Sequence, residues 1–350
     1  MDIGSAPIEF KKQQLYARIL SSSGKPVQRL IEIRTHPLSF RQCRITFSRS
    51  GEKEAGAEAL PNPPPNIHHT DGCPFCQPQL YSQTPLLPSN LSASGRLVEG
   101  DSVLFPNLFP YGCYSAVSLF DNQHFVEIGT ASSASYTNSL INCSRYLKKV
   151  LAADPEAIYT AIAQNHLPSA GGSLVHPHFQ VHADPVASNH HRCYMRRMAG
   201  YYQQYGKYFF SDYLSQEKTN QDRYIANTGN WEWLAAFAPE GFYEVWGILP
   251  GHFSLRTLEA SLWQELARGI INTQRFYRSL HRNGYNMGLL SIEKEGSFLE
   301  LRVVLVVRSN YAPWVRNDYT SFEVMLGDMA TFSAPEETAR LARPFWAAPD

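Results

Sequence analysis

The same order of segments runs through this chain twice, and that repetition limits its fold more than any single motif does. In the first half "YSAVSLF" reads as a strand, "DNQHF" as a turn and "SASYTNSLINCSRYLKKVLAA" as a helix. The helix has Tyr136, Leu140, Cys143, Leu147 and Val150 on or near one face. "EAIYTAIAQN" and "SLVHPHFQVHA" then read as strands joined by "HLPSAGG". The second half repeats this with "FYEVWGILP", a His-Phe turn, the helix "LEASLWQELARGIINTQRFYRSL", and the strands "YNMGLLSIEK" and "FLELRVVLVVRS". Gly-Ser precedes the last strand both times, as Gly172-Ser173 and Gly296-Ser297. A recurring order of this kind implies duplication and an α+β fold, with each half an antiparallel sheet carrying packed helices. Further strands are expected in "RLIEIRTHPLSFRQCRITFS", "RLVEGDSVLFPN" and "WEWLAAFAP", and a Gly- and Pro-rich loop from residue 50 to 72.

The 350 residues suit two such units. We place an N-terminal segment at 1–27, a first half at 28–190 and a second at 191–350. Aligned through the Gly-Ser pairs, His176, His178 and Gln180 stand where the second half has Glu300, Arg302 and Val304. One half keeps a site and the other supports it.

That site begins with "HPHFQVH". Residues two apart on a strand share a face, so His176, His178, Gln180 and His182 would form a row able to hold a metal, a phosphate or both. Upstream, Cys73 and Cys76 in "CPFC" place two thiolates on one turn, a spacing suited to tetrahedral zinc. A redox role fits less well, because a Pro-rich loop precedes the motif and Pro78 follows it. With no second Cys pair, histidines must complete the sphere. His124 and His176 are the candidates, and His68 and His69 compete from nearer in sequence. The other cysteines read as reduced thiols. His190 and His191 open a helix and are expected at its surface.

Lys and Arg balance Asp and Glu at 31 each. No global field therefore draws the chain to nucleic acid or an anionic membrane, and a phosphate site must be local. No apolar run is long enough to span a bilayer and the start lacks a signal-peptide core, so a cytoplasmic protein is expected.

"CPFC", the "NQHF" turn, and the set Asn165, Gly172-Ser173, His176-Pro177-His178 and Gln180 together resemble the galactose-1-phosphate uridylyltransferase family of the histidine-triad superfamily. The resemblance spans about residues 28 to 343. It implies two histidine-triad-like halves and nucleotidyl transfer in two steps, from a UDP-sugar-like donor to a sugar-1-phosphate-like acceptor. His178 would be the nucleophile and carry the nucleotide covalently, and Gln180 would donate to a non-bridging oxygen. Gly171, Gly172, Ser173 and Asn165 would lie against phosphate or ribose. Asn107 in "FPNLFPY" would contact the nucleoside, with Phe109 beside it. Cys73, Cys76, His124 and His176 match the family's structural zinc ligands.

Two departures from the family pattern bear on substrate. A second metal is not expected, because Arg302, Val304 and Leu290 stand at its ligand positions. Near the C-terminus Leu326 and Gly327 are read in place of a sugar-gripping Tyr-Glu pair, with Glu323 or Asp328 as the substitutes available. Phosphorolysis or hydrolysis of a nucleotide diphosphate compound is the alternative, water attack being favoured if His182 acts as a third histidine. A non-catalytic nucleotide-binding relative is the third reading. Base, sugar and acceptor stay open at this point, as does oligomeric state, a homodimer included.

Overall fold

A computed structural model describes residues 8–47, 59–313 and 317–347, so residues 50–58 of the expected loop lie outside it. Ten strands form one sheet: β1 (Leu97–Glu99), β2 (Ser102–Pro106), β3 (Tyr114–Leu119), β4 (Tyr159–His166), β5 (His178–Asp184), β6 (Tyr224–Thr228), β7 (Trp231–Ala235), β8 (Phe242–Leu249), β9 (Tyr285–Ile292) and β10 (Leu301–Val307). Across the sheet they run β6-β7-β8-β10-β9-β4-β5-β3-β2-β1, antiparallel throughout. Each half thus has the same internal order, and the two join at β4 and β9.

The register gives the duplication its geometry. Gln180 pairs with Ala163, and its repeat counterpart Val304 pairs with Gly288. Ala163 and Gly288 are themselves cross-strand partners. A pseudo-twofold axis therefore passes between these two small residues. Likewise His178 lies opposite Leu119, and its counterpart Arg302 lies opposite Ile248.

Helix α1 (Ser133–Ala153) links β3 to β4. Three further helices follow: α2 (Asn189–Tyr205), α3 (Phe209–Asn220), and α4 (Ala260–Ser279), which links β8 to β9. Ser132 caps α1, its hydroxyl accepting from the amide of Ala134. The spacing seen in the sequence is the buried face of α1: Tyr136, Leu140, Cys143, Leu147 and Val150 join one core with Phe179, Val181 and Ala183 of β5. Helix α4 packs beside α1 on this same side of the sheet.

Alternation then sends Gln180 and His182 to the other face, where both are half-buried. In the second half that face is covered. Tyr194 and Met198 of α2 and Phe210, Tyr213 and Leu214 of α3 pack with Trp246 and Ile248 of β8. The strands at residues 30–35 and 42–46 contribute to this cover from a separate four-stranded sheet, completed by Lys11–Tyr16 and Met329–Thr331. Met329–Thr331 runs parallel to Gln42–Thr46. Helix α5 (Pro335–Ala342) brings Glu336 to the buried guanidinium groups of Arg34 and Arg223.

Two expectations change. The strand starts at His178, so His176 stands before it and the row is His178, Gln180 and His182. His191 is buried rather than at the surface: Ser188 accepts from its amide, and its ring Nε2 lies at the carbonyls of Thr160 and Ser291. It pins the start of α2 to the sheet, while His190 beside it is exposed.

Candidate active site

Pro177 breaks the extended backbone between His176 and His178, so the two rings serve different purposes. His176 turns toward the "CPFC" turn. The ligand atoms of Cys73, Cys76, His124 and His176 all lie within 4.8 Å of one another. Cys76 Sγ is 3.2 Å from His124 Nδ1 and 3.5 Å from His176 Nδ1. A tetrahedral zinc with bonds of about 2.3 Å to sulfur and about 2.0 Å to nitrogen has an S···N edge of roughly 3.5 Å, so these spacings fit one ion. The far nitrogen of His176, Nε2, donates to the Asp121 carbonyl at 3.2 Å, which leaves Nδ1 as the lone pair facing the sulfurs. Burial and the neighbouring Cys73 push the Cys76 thiol up to about 11, so two thiolates here call for a cation. His68 and His69 are not in the cluster.

His178 is held from the same turn. Its Nδ1 donates to the His176 carbonyl at 2.7 Å, and a carbonyl can only accept. The ring is therefore the Nδ1–H tautomer and its Nε2 is an unprotonated lone pair, with no hydrogen-bond partner among the described residues. Phe75, from inside the "CPFC" turn, meets the ring edge-on at 5.4 Å between centroids. Burial pulls the imidazole's pKa down, favouring the neutral form.

Gln180 and His182 also have no hydrogen-bond partner among the described residues. Across from His182, the Ser115 hydroxyl is buried and unpartnered. Asn107 is next to it, its amide bonded to the Ser115 carbonyl at 2.9 Å. Its side-chain oxygen accepts from the amide of Phe109, which leaves the amide nitrogen to donate elsewhere. Phe109 itself is 76% exposed.

The Gly-Ser loop closes the opposite side. Gly171 is left-handed at φ +87°, and a Cβ at Gly172 would sit 3.0 Å from the Asn165 carbonyl oxygen and 3.1 Å from that of Leu167. A left-handed residue at 171 favours glycine, and a side chain at 172 would crowd both carbonyls. The amides of Ala170, Gly171 and Gly172 bond to carbonyls of Leu167 and Pro168, so these glycines offer close approach rather than free donors. Ser173 is exposed. Asn165 is oriented from the second half: Asn286 donates to its oxygen at 2.7 Å, and Arg308 in turn donates to Asn286 at 2.6 Å. The Asn165 side-chain amino group has no hydrogen-bond partner among the described residues. Asn286 and Arg308 escaped the sequence reading because their role depends on β4 pairing with β9, and the motif lies entirely in the first half.

Asn286 and Arg308 also line a cavity of about 240 Å³ with Asp318, Tyr319 and Glu323. Of the two acids named as substitutes near the C-terminus, Asp328 is taken by Arg44 at 2.8 Å, and Glu323 faces this cavity. At the second-metal positions, Arg302 lies 4.1 Å over the Trp246 ring and donates to the Tyr194 hydroxyl. Among the described residues no helix is long and apolar enough to cross a membrane.

No family model matches the chain. An uncharacterized protein of Archaeoglobus fulgidus is 27% identical over 347 residues, covering 97% of this chain and 99% of that protein. An ADP-glucose phosphorylase of Arabidopsis thaliana, solved with bound ADP-glucose, matches with a TM-score of 0.69 at 17% identity, over 89% of this chain and 98% of the other. A GalT-like protein of Arabidopsis thaliana matches at 0.67 and 18% identity, with the same shares covered. A uridylyltransferase matches at 0.64 and 18% identity over 89% of this chain and 98% of its own. The chain thus has the α+β fold of the uridylyltransferase-like proteins, in agreement with the resemblance read from its sequence.

Proposed function

We propose that this chain is a divergent member of the galactose-1-phosphate uridylyltransferase family and transfers a nucleotidyl group through His178. The observation that carries the reading is the 2.7 Å bond from His178 Nδ1 to the His176 carbonyl, which leaves Nε2 as a fixed, neutral nucleophile. Nε2 attacks the α-phosphorus of a nucleotide sugar. An N–P bond forms, the bond to the bridging oxygen breaks, and the sugar phosphate leaves with that electron pair. A phosphate oxygen of the acceptor then attacks the same phosphorus, and the bond to Nε2 breaks and returns the lone pair to the ring. Gln180, which lies on the same sheet face, donates to a non-bridging oxygen as charge builds in each transition state. The free amino group of Asn165 and the Ser173 hydroxyl hold the phosphates, and Gly171 and Gly172 let them come close. Asn107 contacts the nucleoside.

Zinc is the metal that a Cys2His2 set of these spacings suits, with four protein ligands and no open position. Held there by Cys73, Cys76, His124 and His176, it would fix the His176 backbone, and so the carbonyl that orients His178. We assign the two units to residues 28–190 and 191–350, after an N-terminal segment at 1–27.

A sugar-1-phosphate-like acceptor is the first reading. Inorganic phosphate as acceptor, giving a phosphorylase, is favoured by the likeness in fold to the ADP-glucose phosphorylase. Water as acceptor would need His182 as a general base, and the free, half-buried state of His182 permits it. Labelled nucleotide sugars, each incubated with the protein and quenched in base, test the proposal: protein-bound label supports it. Stoichiometric conversion of a donor with no bound label at any time would count against it.

A further inference from the structure

The pseudo-twofold axis gives the second half a cleft of its own. It holds about 320 Å³ on the sheet face that carries His178 and Gln180 in the first half, and it is lined by Arg302, Trp246, Leu290, Val304, Val306 and Gly288, among others. An engineered cavity of about 150 Å³ already admits benzene, so this one takes a ring and a head group. Its floor opens at Gly288, where a Cβ would meet nothing within 4 Å. Leu290, Val304 and Val306 add apolar lining, and Asn286, Glu240, Glu244 and Glu300 add polar lining.

Arg302 is the one arginine or lysine among the described residues that line it. Arg302 stands where the first half has His178. Its guanidinium is stacked on Trp246, with Phe210 at 4.8 Å and Tyr194 at 5.2 Å. Of its five N–H groups, one is hydrogen-bonded among the described residues, to the Tyr194 hydroxyl. Three acids line the cleft as well, and each accepts from other groups: Glu300 takes the amides of Ser211 and Gly251. Arg41 takes Glu240 at 2.6 Å, and Glu244 accepts from the Trp246 indole and the Glu240 amide. Burial also pushes the Glu244 carboxyl up to about 7, which reduces its charge. His190 lines the mouth of the cleft.

We infer that this cleft binds a small organic anion, a single phosphate or carboxylate on an apolar body, with Arg302 holding the anionic head and the body lying over Gly288. A guanidinium presents paired donors to either head group. Arg302 lies apart from the nucleophile, although Asn286, which holds Asn165, also lines the cleft. Arg302 is separated from His182 by β9 and β4, through the pairs Arg302–Leu290, Leu290–Ala161 and Ala161–His182. At strand spacings of about 4.8 Å that is roughly 14 Å before the offset to His178 is added. The inference does not depend on the proposed transferase activity.

Phenyl phosphate and benzoate, titrated against the full chain with tryptophan fluorescence as the signal, test it, and inorganic phosphate reports the head group alone. Saturable binding of either aromatic anion, weakened tenfold or more in Arg302→Met, is expected. Arg302→Lys should bind more weakly than wild type, because it keeps the charge and loses the fork. Gly288→Leu, which keeps Arg302 and fills the floor, should lose the aromatic anions and keep any inorganic phosphate binding. It also provides the test should Arg302→Met fail to fold. Undiminished aromatic-anion binding in Arg302→Met or in Gly288→Leu, or no saturable binding of either aromatic anion by the wild type, would overturn the inference.

Discussion

The carbonyl of His176 accepts the Nδ1–H of His178 at 2.7 Å, while the His176 ring turns its own Nδ1 to within 3.5 Å of Cys76 Sγ. One residue thus joins the Cys/His cluster with its side chain and fixes the tautomer of the proposed nucleophile with its backbone. Phe75, between the two cysteines, adds a second contact from the same turn to the His178 ring. The candidate metal cluster and the proposed nucleophile are thus tied together through His176.

A first consequence concerns the metal. Cys73→Ser should lower zinc content below one per chain and reduce thermal stability together, because the closed four-ligand sphere contributes folding energy. It should also slow adduct formation by loosening the His176 carbonyl. Metal analysis and a thermal melt on the same sample check this; unchanged zinc and melting temperature would refute the ligand assignment.

Gln180→Ala should keep the adduct and form it about 10²-fold more slowly, the usual cost of one lost oxyanion donor. Single-turnover kinetics measure it. His182→Ala separates the acceptors. Near-normal transfer to a phosphorylated acceptor supports the transferase, and selective loss of hydrolysis supports water.

Substrate choice should differ from that of galactose-1-phosphate uridylyltransferases. Glu323 lines the cavity beside Asn286 while its carboxylate accepts from Thr320 and from the Ala330 amide, and Asp328 is consumed by Arg44. Exchange of galactose-1-phosphate with UDP-glucose is expected to be poor. A kcat/KM of about 10⁴ M⁻¹s⁻¹ or better for that exchange, well within the ordinary enzymatic range, would contradict the expectation.

Stability should depend on Glu336. Its carboxylate accepts from Arg34 at 2.7 Å and from Arg223 at 2.9 Å, and both arginine side chains are nearly sealed from solvent. Burial raises its carboxyl pKa, but the hydrogen bonds and charge of Arg34, together with Lys12, outweigh that and hold it at about 2. The folded value lies below the unfolded one, so the contribution is present above about pH 4.5 and is lost as pH falls toward 2. Glu336→Gln should cost about 3 kcal/mol at pH 7, as breaking a buried ion pair does. In denaturant melts its gap from wild type should narrow below pH 4. A gap that is constant with pH would refute the assignment.

Much of this was legible because it rests on local chemistry. The helical spacing of Tyr136 to Val150 is the buried face of α1, and the repeated order of segments is the repeated strand order of the sheet. The Cys-x-x-Cys turn, His124 and His176 converge because the ligand types leave few partners. What alternation missed was the role of Pro177, which takes His176 off the strand and gives the two histidines different tasks. His191 was misplaced for a related reason: a capping position near a helix start tells nothing about the strand edge it packs on. Asn286 and Arg308 depend on pairing between residues more than 100 apart, which no local pattern reveals.

The most direct test is the covalent step itself. Wild-type protein mixed with its nucleotide donor should accumulate a phosphoramidate that survives base, is lost in acid, and maps to the "VHPHFQ" peptide at His178. His178→Gly should form no adduct while keeping its zinc and its fold, because His176 is untouched, and it should accept nucleotides presented as free imidazole derivatives. Full turnover by His178→Gly would contradict the account.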